Sequence, residues 1–256
     1  MISPPVFSIE AMNDIDLLRQ CIEVQRQAWG FADIDILPLR MLVVCTRIGG
    51  QVLGAREPGG RVVGFLNSLP GYKEGKVYLH SQMLGVLPEY QNLGVGRSLK
   101  WAQREEALSR GIQLIEWTFD PLEFRNARFN IELLGAISRR YLVNTYGITS
   151  SPLHGGLPTD RLVAEWHLNS ARVIACRDRY ARDVATPFES CVELPLNFME
   201  LKMSNPALAL QMQLDFREQM LDLLRNDYCV TGFEMNTARQ KALYHLKSQV
   251  SDFPNL

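Results

Sequence analysis

The sequence predicts a mixed α/β fold, and three observations carry that prediction. Short runs rich in β-branched and aromatic residues, such as "RVVGFLNSL" and "IQLIEWTF", alternate with longer amphipathic stretches such as "NDIDLLRQCIEVQRQAWGF". Glycines and prolines punctuate the boundaries between them. The chain's 256 residues, 46% of them hydrophobic and 21% charged, can bury a sizeable core in one large domain or two small ones.

Taken in order, "VFSIEAM" reads as a short strand. A helix follows from Asn13, a helix-start residue, with Ile15, Leu18, Ile22 and Ala28 at near-helical spacing. "PLRMLVVCTRIGG" is a second helix, with Pro38 in its first turn and Gly49-Gly50 at its end. "QVLGARE" and "RVVGFLNSL" flank the turn signal "PGG" and predict an antiparallel hairpin. "KVYLHSQMLGV" is the next strand, entered through the Gly-rich "PGYKEG". A helix then runs from near Gly94 to Arg110, stopped by Gly111, and "IQLIEWTF" is a further strand. The segment from Asp120 to Gly147 reads as mostly helical, with Pro121 near its start. The order β-α-α-β-β-β-α-β-α gives a mixed sheet with helices on both faces.

Beyond a turn-rich connector, "PLHGGLPTD", the sequence predicts a strand at "RLVAEWHL" and another at "CVELPLNF". An amphipathic helix over "NPALALQMQLDFREQMLDLLRND" places Leu210, Leu214, Leu221 and Leu224 on one face. "YCVTGFEM" closes the chain as its last strand. A boundary falls near 148–160, and the strands after it either complete the first sheet or stand apart.

Composition excludes several classes. A net charge of −1, with no run of five basic residues, gives no electrostatic case for nucleic acid or a membrane surface. The five cysteines, Cys21, Cys45, Cys176, Cys191 and Cys229, are widely spaced and show no CxxC, so neither zinc nor a disulfide framework is indicated and no metal is expected. Free thiols, no signal-like N-terminus and no apolar run near the ~20 residues that span a bilayer predict a cytoplasmic protein.

One stretch carries chemistry. "QNLGVGRSL" follows the strand ending in "GVLPEY" and opens a helix, a placement suited to an anion held by unpaired amides and the helix dipole. It lacks the four-residue spacing and the Lys-Ser/Thr of a nucleoside-triphosphate loop. Leu99 stands where a dinucleotide loop needs its third small residue, which sets a dehydrogenase far back. Gln91-Asn92-Leu93-Gly94-Val95-Gly96 matches Q/R-x-x-G-x-G/A, and here the sequence resembles the GNAT acetyltransferase superfamily over about residues 5 to 150. The resemblance implies a mostly antiparallel sheet with a splayed parallel pair of central strands, "YLHSQMLGV" and "LIEWTF". It implies that the loop amides bind the pyrophosphate of acetyl-CoA, with Arg97 and Ser98 adding a cation and a hydroxyl. It implies further that the backbone of Met83, Leu84, Gly85 and Val86 binds the pantetheine arm, aided by Asn126 or by Asn130 one turn on. Residues 1–150 would then be the acyl-CoA-binding core, and 151–256 a C-terminal α/β region completing the sheet and shaping the acceptor site.

N-acyl transfer needs a base, an oxyanion donor and an acid. The family's usual acid is a Tyr shortly before a Leu-Gly-Phe, but "FNIELLGA" has Ile131 near that position. Tyr141 and Tyr146 lie downstream and could substitute as the acid only if that helix is extended or bent, Tyr141 being the candidate. His80 is the candidate base, on a strand whose alternation groups it with Gln82 and Leu84, and with an intrinsic pKa suited to an amine proton. Glu116 on the adjacent strand is the second. Arg125, Arg128, Arg139 and Arg140 would accommodate a carboxylate on the acceptor or on a succinyl donor. In "TDRLVAEWHL", alternation sets Arg161, Val163, Glu165 and His167 on one side, a polar face for the acceptor or for solvent. The expectation is an acyl-CoA-dependent N-acyltransferase acting on a small-molecule amine, with an oligomer left open. The rival from another class is a non-catalytic acyl-CoA-binding module.

Overall fold

The computed structural model describes residues 6–30, 33–147, 156–178 and 188–248, and the chain divides into two compact units, one to Ile115 and one from Glu116 to Asn255. Among the described residues no helix is long and apolar enough to cross a membrane. The stretch "PLHG" and most of the expected boundary lie outside the described residues.

The first unit holds β1 (Ser8–Ala11), α1 (Ile15–Trp29), α2 (Leu39–Arg47), β2 (Gln51–Arg56), β3 (Val62–Lys73), β4 (Lys76–Val86) and α3 (Val95–Ser109). β5 (Leu114–Phe119) begins in this unit and ends in the second. The strand order is β1-β2-β3-β4-β5, antiparallel except for the parallel pair β4–β5, as the resemblance implied.

Local chemistry sets these elements. The cap of α1 is Asp14, one residue past the expected Asn13; its Oδ1 accepts from the amides of Asp16 and Leu17 at 2.8 and 3.3 Å. Gly50 packs so closely on β3 that a Cβ there would stand 2.4 Å from the Ser68 carbonyl oxygen. The β3–β4 turn is Glu74-Gly75, at φ 49° and 82°, so most of the expected entry loop "PGYKEG" is strand: Pro70 to Lys73 pair with Leu79 to Lys76.

Two helices cover opposite faces. A Cβ on Gly85 would meet the Trp29 ring of α1 at 2.8 Å, whereas one on Gly96 of α3 would meet Leu84 at 3.8 Å. Neighbouring strand residues point to opposite faces, so α1 and α3 sandwich β4. Met12, Leu18, Cys21, Leu42, Phe65, Leu66, Val95 and Leu99 belong to one continuous core. Beneath α3 runs a polar seam. Gln103 donates to Ser81 at 3.2 Å, Lys100 donates to Ser81 at 3.3 Å, and Ser68 donates to Gln51 at 2.9 Å.

The β3–β4 register steps at one point. Ser68 faces Ser81 and Asn67 faces Met83, so Gln82 is an extra residue bulged out of the ladder. Directly opposed residues share a face. Leu69, Asn67 and Phe65 therefore set His80, Met83 and Gly85 on the α1 side, while Ser81 and Leu84 face α3. The expected grouping of His80 with Leu84 is thus corrected: simple alternation fails across the bulge.

The second unit carries the rest of β5, α4 (Phe124–Ala127), β6 (Tyr141–Leu142), β7 (Arg161–His167), α5 (Ala171–Asp178), β8 (Ser190–Pro195), α6 (Phe198–Ser204), α7 (Pro206–Arg225), β9 (Tyr228–Asn236) and β10 (Lys241–Ser248). Its strands fall into the order β5-β7-β6 and an antiparallel sheet β8-β10-β9. Trp166, Phe198, Phe216 and Tyr244 are its largest fully buried side chains.

Three expectations change in this unit. The segment expected to be mostly helical holds only α4 and one wide π turn, Arg128–Leu133. Gly135, at φ 79°, turns the chain out of it. The next residues are extended: Ile137 bridges Glu165 on β7, and Ser138 bridges Val230 on β9. Sheet pairing there overrides helix propensity. "YCVTGFEM" is not the last strand, because β10 follows and lies between β8 and β9. In α7 the buried face is Ala209, Gln213, Phe216 and Met220, not the expected leucines, of which Leu210 is exposed. β7 is buried throughout, so neither of its sides is wetted.

Candidate functional site

In the first unit, β4 ends at Val86 and the chain passes through a single turn, Pro88–Tyr90, into the glycine stretch. Gln91 does not reach outward. Its Nε2 donates to the Val86 carbonyl at 3.1 Å and clips the loop to the strand it leaves. Asn92 then takes the left-handed region at φ 60°, followed by Gly94 at φ 87°. These two positions turn the chain so that α3 starts at Val95 with Gly94 as its cap.

The start of α3 suits an anion. Gly94 offers no side-chain cap, so no side chain of the cap residue covers the first-turn amides. The Ser98 amide already bonds the Gly94 carbonyl at 2.9 Å and belongs to the helix. Gly96 has an ordinary helical backbone, and a Cβ there would meet only Leu84 and Val86, both at 3.8 Å. Neither conformation nor packing requires a glycine at 96. A group approaching from outside the protein would require one, and this is how the residues present fit a diphosphate. Arg97 lies with its guanidinium 5.3 Å from the centre of the Trp101 ring, a cation–π contact that orients it.

The β4 backbone expected to hold the donor's arm follows the bulge. Met83, Leu84 and Val86 are half-buried and Gly85 is buried beneath Trp29. His80 is half-buried and sits before the bulge on the α1 side, sharing that side with Met83. Leu93 and Asn92 are exposed at the loop's tip, and Val95 is a core residue.

The other expected residues lie in the second unit. Asn126 is exposed on α4, whereas Asn130 is buried and its Oδ1 accepts from Trp117 Nε1 at 3.2 Å. The pair is not interchangeable: Asn130 is committed inward. Glu116 is buried and paired with Arg140 at 2.5 Å. Arg140 also reaches Glu165 at 3.4 Å, and Arg139 binds Glu165 at 2.5 Å. Burial works to raise the Glu165 carboxyl, but hydrogen bonds from His167 and Arg139 and the charges of Arg139 and Arg140 outweigh it and hold the carboxyl at about 2. The positive bias expected at Arg139 and Arg140 is therefore answered by two buried carboxylates.

Tyr141 stands on β6 with its hydroxyl donating to Asp160 Oδ2 at 2.8 Å, and Arg217 of α7 bonds the same oxygen at 2.8 Å. Burial and the Asp160 carboxylate push the Tyr141 hydroxyl well above the usual phenol range, which opposes proton donation. Tyr146 is exposed, and its hydroxyl lies 3.1 Å from Thr118 Oγ1. Sequence reasoning passed over Asn67 and Gln82, whose side chains bond across the bulge at 2.9 Å; a bulge leaves no mark in an uninterrupted strand pattern.

Residues 20–130 match the model of the acetyltransferase (GNAT) family. Solved structures share the fold. A protein assigned as an acetyltransferase from Acinetobacter baylyi superposes with a TM-score of 0.55 at 14% identity, covering 67% of this chain and 97% of its own. The ribosomal-protein-S18-alanine N-acetyltransferase of Escherichia coli gives 0.51 at 15% identity, with 65% and 96% covered. The Salmonella typhimurium protein yncA, solved with its cofactor acetyl-CoA, gives 0.52 at 17%, with 64% and 95% covered. No curated protein matches the sequence. The chain thus matches the GNAT family model over residues 20–130 and shares its fold with these structures, with about a third of its length outside the structural matches.

Proposed function

We propose that this GNAT-domain protein transfers the acetyl group of acetyl-CoA to the primary amine of a small molecule. The observation that carries the proposal is the start of α3: a left-handed glycine leaves the first turn without a side-chain cap, and Gly96 answers no need of the fold. The first-turn amides and Ser98 would hold the diphosphate, with Arg97 at its edge. The backbone from Met83 to Val86 would hold the arm. Bound there, acetyl-CoA supplies the activated acyl group. His80, on the strand just before that stretch, would take the proton of the incoming amine. Residues 1–150 would form the acyl-CoA-binding core and 151–256 the part that selects the acceptor. Succinyl-CoA is an alternative donor only if the arginines at 139 and 140 yield contacts they now give to Glu116 and Glu165.

A second reading is favoured by a specific observation. Ile131 stands where the family's acid would be, and the Tyr141 hydroxyl is committed to Asp160. A domain that holds acyl-CoA without transferring its acyl group would look the same. Thermal melts with acetyl-CoA, succinyl-CoA, CoA and NAD, followed by thiol release with an amine library, separate the two. Stabilisation with thiol release is expected; stabilisation without release supports the binding module, and stabilisation by NAD alone overturns both. Gly96→Glu should abolish the CoA-induced shift in a protein that still melts cooperatively. An undiminished shift would dismiss the loop.

A further inference from the structure

We infer that Gln82 selects acceptors carrying a hydrogen-bond-accepting oxygen close to the reacting amine, and that Asn67 holds it in position to do so. The inference rests on the acetyl-transfer reading above and adds to it the chemistry of the acceptor.

Gln82 is the residue that the β3–β4 register skips, and it is exposed while Ser81 just before it and Gly85 beyond it are buried. A bulge re-aims the side chain of the extra residue. The side chain is nevertheless fixed. Asn67 on β3, fully buried, donates its Nδ2 to Gln82 Oε1 at 2.9 Å. With that oxygen engaged, the Nε2 end of the amide is the end left for a ligand, and it is donor-only.

Asn67 supplies an independent observation. Its Oδ1 is buried with no hydrogen-bond partner. A half-satisfied buried amide serves the fold less well than an apolar side chain of similar size. Asn67 also bonds the Cys45 thiol, so position 67 anchors the Gln82 amide to the interior through a shared polar contact.

Location gives the ligand. Along β4, Gln82 stands between His80 and the stretch from Met83 to Val86. At about 3.3 Å per residue, its amide lies within one side-chain length of both. A donor there suits a hydroxyl or carbonyl oxygen one or two carbons from the amine, as in amino alcohols and amino-acid amides. A second ammonium group at that place would meet hydrogens and no acceptor, so diamines are disfavoured.

The test uses the full chain, acetyl-CoA and thiol release, with ethanolamine and glycinamide set against propylamine. Gln82→Met keeps the length of the side chain and removes the donor. The ratio of kcat/KM for the oxygen-bearing amines over propylamine should fall by about tenfold, the scale of one lost hydrogen bond, and chiefly through KM. Asn67→Asp keeps the shape but turns the donor into an acceptor that faces Oε1, so it should lower the same ratio. The double variant should fall no further than Gln82→Met alone, because the two side chains act as one unit; a merely structural defect at 67 would add. An unchanged ratio in folded Gln82→Met, or an equal loss on all three amines, overturns the inference, and because Gln82 is exposed that variant does not depend on Asn67→Asp folding. If none of the amines raises thiol release by the unaltered protein, the transfer reading fails and this inference falls with it. Transfer with an unchanged ratio defeats the inference alone.

Discussion

Gly94 and Gly96 open the same helix for different reasons. Gly94 has a left-handed backbone at φ 87° with nothing within 4 Å of an added Cβ, so its glycine answers conformation. Gly96 answers neither conformation nor crowding. In sequence the two look equivalent, because a motif records residue types and not dihedral angles. The difference makes a prediction at this scale. Gly96→Ala should leave the protein as stable or raise its stability by up to about 1 kcal/mol, the helix preference for Ala over Gly, while shrinking the melting shift induced by acetyl-CoA. Thermal melts with and without acetyl-CoA read both effects. A lower Tm without ligand and an undiminished shift would place the need for glycine in the fold.

Among the elements, β4 shows how far sequence pattern reaches. Its existence and its passage into the glycine loop were legible, because apolar periodicity and glycine placement are local properties, while its parallel direction beside β5 was implied only by the family resemblance. The facing of His80 was not, since one inserted residue is indistinguishable from continued alternation. The segment after β5 failed for a related reason: "RFNIELLGAISRRYL" has helical composition, but residues 137 and 138 bond to strands that lie far along the chain. Asn126 and Asn130 looked alike one turn apart, and only the indole of Trp117 tells them apart. Gly85 marks a closer constraint. The Trp29 ring occupies the space of its missing side chain, so Gly85→Ala should displace the indole and destabilise the protein by about 1–3 kcal/mol, the usual cost of overpacking. Urea unfolding followed by tryptophan fluorescence checks this, and Trp29→Leu combined with Gly85→Ala should recover part of the loss.

For the molecule as a whole, a net charge of −1 conceals two buried ionisable groups with opposite effects on stability. Glu165 is held at about 2, below its ordinary 4.5, so its contribution is fully present above about pH 4.5 and is lost as pH falls toward 2. That contribution is about 3 kcal/mol. Glu165→Gln should therefore lower Tm at pH 7 and lower it much less at pH 3. Lys100 is fully buried and burial pushes its amine well below 10.5. The unfolded chain therefore holds that proton more tightly than the folded one does, so the lysine opposes folding at neutral pH and the opposition fades as pH rises toward 10.5. Lys100→Met should raise Tm at pH 7 and raise it less at pH 10. Melts at those pH values check both signs.

Arg172 of α5 has one more consequence. Its guanidinium donates to the carbonyls of Gly135 at 3.0 Å and Ile131 at 2.8 Å, around the wide turn that follows α4. Glu132 of the same turn accepts from the Phe233 amide at 3.0 Å, and the Tyr244 hydroxyl is bonded to the Pro121 carbonyl. The family match ends at residue 130, yet Pro121 inside it is held from position 244, and the turn just past its end is held from positions 172 and 233. A chain truncated at 150 would keep every glycine of the loop and still leave those carbonyls, and that carboxylate, facing groups that had been cut away. In this protein the part that matches the family model is not the self-sufficient part.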